Sequence, residues 1–532
     1  MNILSMRLGG FFAPHRTSGV LRPALVKAAI TATTVVVCCL LFGPKLGVFG
    51  LLGGLVTFWE TDRPLWPRVR NSLLITALVV ASLAFGVAIA PARWAFVPGA
   101  VLIVIVFSML YSTFMLGRGP SPVLPIYAGV VGAYFGVDQQ LGWQLVGLTA
   151  FAGLLTTVLL LVPFLVAPHG PEERATARAR SAVRAYAELP DDAPATVAQL
   201  SRNAAYAAMN DALVTLRSAW PATRGVRHRA LGDELFVAQR ELVTAMFRRL
   251  GNDAPVRTSG PVGSLVLRQP SWRYLAAHAL HPDSVQWYTT WRMALAAALG
   301  GVASLAVGIG YPYWGILTAV IVLNQWMDRR SALLRAAQRT VGTLLGVGVV
   351  FAVSALHPGP WASVAVVLIC MTGMYLAFPL NYAWALVCIT PMALVLVQAA
   401  TGAGTVRITS DRFLDTLIGA AAALVVMWVS SLGFPRRLAR TQSRRSERAV
   451  IAVEHANERG RQFEPDGQHA RVALMYELTH HVAVIERAVI DDPKLADLRA
   501  PEMRLADRGY AALGRAWLAP AEDDGSGQRE QP

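Results

Sequence analysis

The 532-residue chain has little lysine, little acid and little cysteine. Charged residues make up 15% of it, against roughly 25% in a typical soluble chain. Lysine occurs only at Lys27, Lys45 and Lys494. The four cysteines do not have the spacing of a zinc or redox site: Cys38 and Cys39 are adjacent, and Cys370 and Cys388 stand alone in apolar runs. They are read as small apolar core residues. No G-x-x-x-x-G-K-[ST] stretch is present, so direct ATP hydrolysis by this chain is not expected. No Ser/His/Asp grouping is legible, and His278, His281, His480 and His481 lack partnered ligands. No enzyme activity, no cofactor and no metal is therefore expected.

What is there is apolar. Hydrophobic residues are 54% of the chain and the mean hydropathy is +0.45. The net charge of +15 does not point to nucleic acid, because the arginines flank apolar runs, where they meet anionic headgroups and set topology. Twelve candidate spans follow, at about 24–42, 46–59, 69–91, 94–116, 122–137, 143–167, 288–309, 312–326, 337–356, 360–378, 383–400 and 413–434. Several are short and rich in Gly or Pro, which is tolerated where a helix is buried in protein rather than facing lipid. The N-terminal stretch has no compact apolar core with a cleavage site, so no removable signal peptide is expected.

The expected organisation is a first six-helix membrane unit over 1–167 and a helical cytosolic region over 168–285. A second six-helix membrane unit covers 286–435, and a cytosolic helical region with a disordered tail covers 436–532. The basic loops fall on one side: Arg7, Arg16 and Arg22, then Arg63, Arg68 and Arg70, then Arg118, then the 329–339 and 436–445 clusters. The positive-inside bias places that side, and both termini, in the cytoplasm of a bacterial-type plasma membrane. Lys27 and Arg292, the stretches at Phe49 and Trp314, and Arg70 and Arg335 recur at an offset of 265 residues. The fold class is thus an all-α membrane protein of about twelve transmembrane helices, arranged as two six-helix repeats. An even-numbered repeat re-enters in the same orientation, which implies a pseudo-two-fold axis along the membrane normal and a path between the halves.

Candidate path residues are those that bring charge or polarity into these spans. Lys27 and Arg292 start the first span of each half, where they either snorkel to headgroups or line an anion path. Charged turns close the second spans, with Arg63 in one half and Asn324, Asp328 and Arg329 in the other. Tyr313, Trp314 and Thr318 add aromatic faces and a hydroxyl. Asp415, just inside the last span beside Arg412, is the proton-coupling candidate, with an ion pair to Arg412 as the alternative reading. Gly132 with Gly136, and Gly342 with Gly346, are read as close helix contacts.

The second half resembles the fusaric acid resistance protein-like family of bacterial inner-membrane transporters. The residues that carry the resemblance are Tyr313-Trp314, Thr318, Asp328-Arg329, the Arg339/Gly342/Thr343/Gly346 pattern, and Arg412, Asp415 and Gly419 of DRFLDTLIGAA. In the first half Arg70-Asn71-Ser72 and Thr76 stand in place of the Arg-to-Gly-Thr motif. The resemblance implies an exporter of small organic acids, aromatic carboxylates included. A passive organic-anion channel and a scaffold without transport activity remain as alternatives. The partners expected are membrane lipids and a small organic anion, with no nucleic acid; a homo-oligomer is left open.

Overall fold

The computed structural model describes residues 21–59, 63–114, 122–219, 224–251, 270–324, 329–402, 404–431 and 433–518. These residues are helical throughout, and they divide into two compact units. One takes residues 1–166 and 272–437, the other 167–271 and 438–532.

The first unit contains α1 (Leu21–Phe42), the broken helix α2 (Pro44–Phe58), α3 (Leu65–Ile89), α4 (Phe96–Phe114), α5 (Val123–Phe135) and α6 (Gln139–Leu159). The second unit holds α7 (Gly170–Ala187), α8 (Ala195–Arg217) and α9 (Val226–Arg249). The chain then returns to the first unit with α10 (Trp272–Ala279), α11 (Val285–Ala306), α12 (Tyr313–Leu323), α13 (Arg329–Ala355), α14 (Pro360–Ala377), α15 (Tyr382–Thr401) and α16 (Thr405–Ser430). Finally α17 (Phe434–Glu458), α18 (Pro465–Asp491) and α19 (Arg499–Gly514) lead into and complete the second unit.

Among the described residues seven helices are long and apolar enough to cross a membrane: α1, α3, α4, α6, α13, α14 and α16. Four apolar helices, α2, α5, α12 and α15, are shorter in their apolar reach. Each of the twelve expected spans coincides with a helix, but α11 is not among the seven, since Arg292 and the polar run at its start dilute it. The length difference has a structural consequence. An 11-residue helix such as α12 is only about 16 Å long, half of a hydrocarbon core. Its ends must be satisfied by protein or by a cavity, not by lipid. Accordingly nearly every residue of α12 is buried, from Tyr313 to Val320 and again at Val322 and Leu323.

Glycines let these short helices sit against their neighbours backbone to backbone. Gly86 of α3 lies on the carbonyl of Gly129 in α5, and Gly132 and Gly136 of α5 lie on Leu83 and Val87 of α3. In the other half, Gly342 and Gly346 of α13 face Ala383, Leu386 and Thr390 of α15. A methyl group at Gly419 of α16 would fall on the carbonyl oxygen of Gly315 in α12. These small-residue contacts give close van der Waals packing where no hydrophobic drive separates lipid from protein.

The second unit is built differently. Its core combines α7, α8 and α9 with α17, α18 and α19, through Val183, Met209, Leu242, Val450, Leu478 and Tyr510 among others. Two stretches far apart in sequence therefore share one core. A buried polar network ties α17, α18 and α19 together: Ser446 Oγ lies 3.0 Å from His481 Nδ1, and Ser443 donates to Glu502 Oε1 at 2.5 Å.

Candidate functional site

The short helices converge on a cavity of about 270 Å³ inside the first unit. It is lined by α2 from Phe49 to Trp59, α5 from Val123 to Phe135, α12 from Tyr313 to Asn324, and α15 from Tyr382 to Val397. The long helices add Arg335 and Arg339 from α13, Met374 and Phe378 at α14, and Arg412 from α16. Each of the four short apolar helices thus has a face on this space. A dry cavity of about 150 Å³ accepts a benzene ring, so this one has room for a ring with substituents. Among the described residues its lining contains three arginines and no Asp or Glu.

Arg412 is the most unusual of the three. It is 3% exposed, yet its side chain makes no hydrogen bond and lies within ion-pair distance of no carboxylate among the described residues. Its Nε is buried without a partner. The guanidinium is instead stacked on Trp314, 4.9 Å from the ring centroid. A cation–π contact of this kind is worth at most a few kcal/mol when desolvated, well short of the cost of burying an unpaired cation. The remaining donors point to an anion as the missing partner.

Arg339 and Arg335 continue the basic face. Arg339 Nε donates to Thr318 Oγ1 at 3.0 Å and its Nη1 to the Tyr382 hydroxyl at 2.9 Å. Both acceptors are neutral, so neither matches the charge itself. Arg335 lies over the other aromatic partner, with its Cζ 5.2 Å from the Tyr382 ring centroid. The aromatic wall is continuous: Tyr134 packs on Tyr313 at 4.9 Å, and Tyr311 and Tyr313 each lie 5.1 Å from Trp314. Tyr375 faces away from this chemistry, because its hydroxyl is held by Thr57 and Thr31 at 2.5 and 3.0 Å.

The residues singled out from sequence separate into three groups. Tyr313, Trp314 and Asn324 line the cavity directly. Thr318 stands one layer behind, holding Arg339, and Lys27 likewise reaches the wall, its Nζ 3.4 Å from the carbonyl of cavity-lining Phe58. The others lie elsewhere. Arg292 is buried over the Tyr288 ring at 4.8 Å, and Arg329 donates to Ser431 Oγ at 2.5 Å while stacking on Trp428. Arg63 gives its backbone carbonyl to Arg68 and is not part of the lining. Asp328 lies outside the described residues.

Asp415 is fully buried and does not open on the cavity. Ser304 of α11 donates to its Oδ1 at 2.5 Å, and its Oδ2 has no hydrogen-bond partner among the described residues. It packs against Gly315, where an added Cβ would sit 3.1 Å from Oδ1. It does not form an ion pair with Arg412, although the two are three residues apart on α16. No group of three or more His, Cys, Asp or Glu among the described residues is placed to hold a metal ion.

Arg412, Arg335 and Arg339 as a set are what sequence reasoning passed over. Each had appeared as a topological anchor, a motif residue or a neighbour of Asp415. A signal was available for Arg339: Gly342, Thr343 and Gly346 follow at helical spacing, so it shares the stripe of small residues that faces protein.

A bundle of apolar helices surrounding a buried basic and aromatic cavity defines a multi-span membrane protein. Residues 290–426, from α11 to α16, match the family model described as Fusaric acid resistance protein-like, and this stretch is a domain of that family. No curated protein and no solved structure gives a significant match to the chain.

Proposed function

We propose that this protein is a secondary transporter that exports small organic acids, aromatic carboxylates above all, across a bacterial plasma membrane. The observation that carries the reading is Arg412, a buried guanidinium with no carboxylate within ion-pair distance among the described residues, facing an aromatic cavity whose described lining has no Asp or Glu. A carboxylate accepts a bidentate pair of N–H bonds from such a group, and an attached ring finds Trp314, Tyr313 and Phe135 around it. Arg339 and Arg335 spread the positive field and disfavour cations. The match to a fusaric acid resistance protein-like domain supports the same substrate class.

The architecture that accompanies this reading is two six-helix halves about an axis along the membrane normal, with both termini cytoplasmic. One negative charge leaving through 100 mV releases about 2.3 kcal/mol, equal to roughly a 50-fold gradient, so export of an anion needs no ATP. Asp415, buried one turn from Arg412, is the group through which a proton would be coupled to the cycle.

The test is flux of labelled benzoate in proteoliposomes under an imposed potential. Saturable, potential-dependent flux that Arg412→Gln abolishes supports the assignment. Currents that follow voltage without saturation would make the protein a channel, and no flux for any of a broad panel of carboxylates would leave a scaffold. Asp415→Asn is expected to remove the pH dependence of flux while benzoate binding persists.

A further inference from the structure

A second cavity of about 410 Å³ lies in the same unit, at the end marked by Lys45, His357 and Thr405. Among the described residues its lining has one lysine, one histidine and several hydroxyls, with no arginine and no carboxylate. The side chain common to the linings of both cavities is Leu396 of α15. It is half-buried, as a side chain bordering empty space on either side must be.

The backbone around Leu396 departs from a regular helix at two points. Pro391 stands inside α15, where its missing N–H leaves one helical hydrogen bond unmade and its ring weakens the ladder. Gly402 closes the helix in the left-handed region at φ +64. The stretch carrying Leu396 is therefore bounded by a proline hinge and a glycine cap. On the facing wall His357 has φ +45, the sole positive value at a non-glycine residue among those described. Such strain persists where surrounding structure enforces it, and it clusters at moving or binding parts.

We infer that Leu396 is a gate between a central anion-binding chamber and a release vestibule, swung by the Pro391–Gly402 segment. This rests on the proposed transport function for its cargo, but not for the gate itself. An anion leaving the three-arginine chamber would enter a space with weaker positive charge. That descent lets it bind firmly enough to load and loosely enough to leave. Leu396 is the described side chain that lines both spaces, which places it where a gate between them would act.

Two readouts test the gate. In a background with Cys38, Cys39, Cys370 and Cys388 each changed to Ala, the full chain carries Ser363→Cys in the vestibule or Met392→Cys in the chamber. A membrane-impermeant thiol reagent applied from the vestibule side should label Ser363→Cys quickly and Met392→Cys at least ten-fold more slowly. Adding Leu396→Ala should raise the second rate to near the first. Equal labelling of Met392→Cys with and without Leu396→Ala overturns the gate. In proteoliposomes, Leu396→Trp should cut benzoate flux at least ten-fold. Flux at the wild-type rate in that variant also overturns it, and Leu396→Met, which keeps the volume, should behave as wild type. If the unmodified protein neither binds nor moves benzoate, the transport assignment fails, while the labelling rates still decide the gate.

Discussion

Arg412 in the membrane unit and Arg202 in the polar unit are buried to nearly the same degree, at 3% and 4% exposure. Both guanidiniums stack on an aromatic ring, 4.9 Å from Trp314 in one case and 4.5 Å from Tyr510 in the other. They differ in what else they touch. Arg202 donates to Asp507 at 2.7 Å, and Gln199 joins the same carboxylate. Arg412 donates to no acid among the described residues, and Asp415, three residues on, acts on it only through space. A buried cation with its own carboxylate closes a structure, whereas one without leaves a place for a charge that arrives from outside. On the proposed function, the difference separates a residue that holds helices together from one that would hold a ligand.

The largest effect expected from this contrast is on binding. Arg412→Gln should weaken benzoate affinity by about 10- to 100-fold, the worth of a charge-assisted hydrogen bond of about 1.5–3 kcal/mol. Its melting temperature should stay the same or rise, because an unpaired buried charge has been removed. Equilibrium binding and thermal melts in detergent measure both. Arg202→Gln should do the reverse: stability falls by about 1–3 kcal/mol as Asp507 loses its partner, and benzoate affinity is unchanged. If the two variants behave alike, the contrast fails.

Gly419→Val tests the packing that positions Trp314. The new side chain would meet the Gly315 carbonyl and Thr318, with an overpacking cost of about 1–3 kcal/mol, read as a lower melting temperature. The smallest effect concerns the polar unit alone. Burial pushes the Glu502 carboxyl up, but His481, with Nε2 3.3 Å from Oε2, and the Ser443 hydroxyl outweigh it and hold the group below its ordinary value. A depressed carboxylate contributes stability that is fully present above its unfolded value of about 4.3 and is lost as pH falls through the folded value. Glu502→Gln should therefore flatten the acid limb of melting temperature against pH below about pH 5. An unchanged acid limb would show that this pair does not stabilise the unit.

Much of the fold was legible because a bilayer writes long apolar runs between basic loops. Helices α1, α3, α6 and α16 follow from that pattern alone, as does the helical character of the polar stretches at three- and four-residue spacing. That residues 167–271 and 438–532 share one core was not legible, since amphipathic stripes show that a face is covered but not by which partner. The site was half legible. Tyr313, Trp314 and Asn324 stood out because polar and aromatic groups are uncommon in an apolar span. Arg292 and Arg329 stood out for the same reason, yet neither lines the cavity: Arg292 lies over Tyr288, and Arg329 on Ser431 and Trp428. Apolar-all-round helices carry no stripe that tells a cavity face from a packed one, so facing directions had to come from the structure.

The most direct measurement is a structure of the protein with 4-iodobenzoate, whose iodine marks the ring. The account predicts the ring in the α2–α5–α12–α15 cavity, with its carboxylate within hydrogen-bond distance of Arg412. Ligand bound elsewhere, or a cavity that stays empty at concentrations that saturate transport, would contradict it.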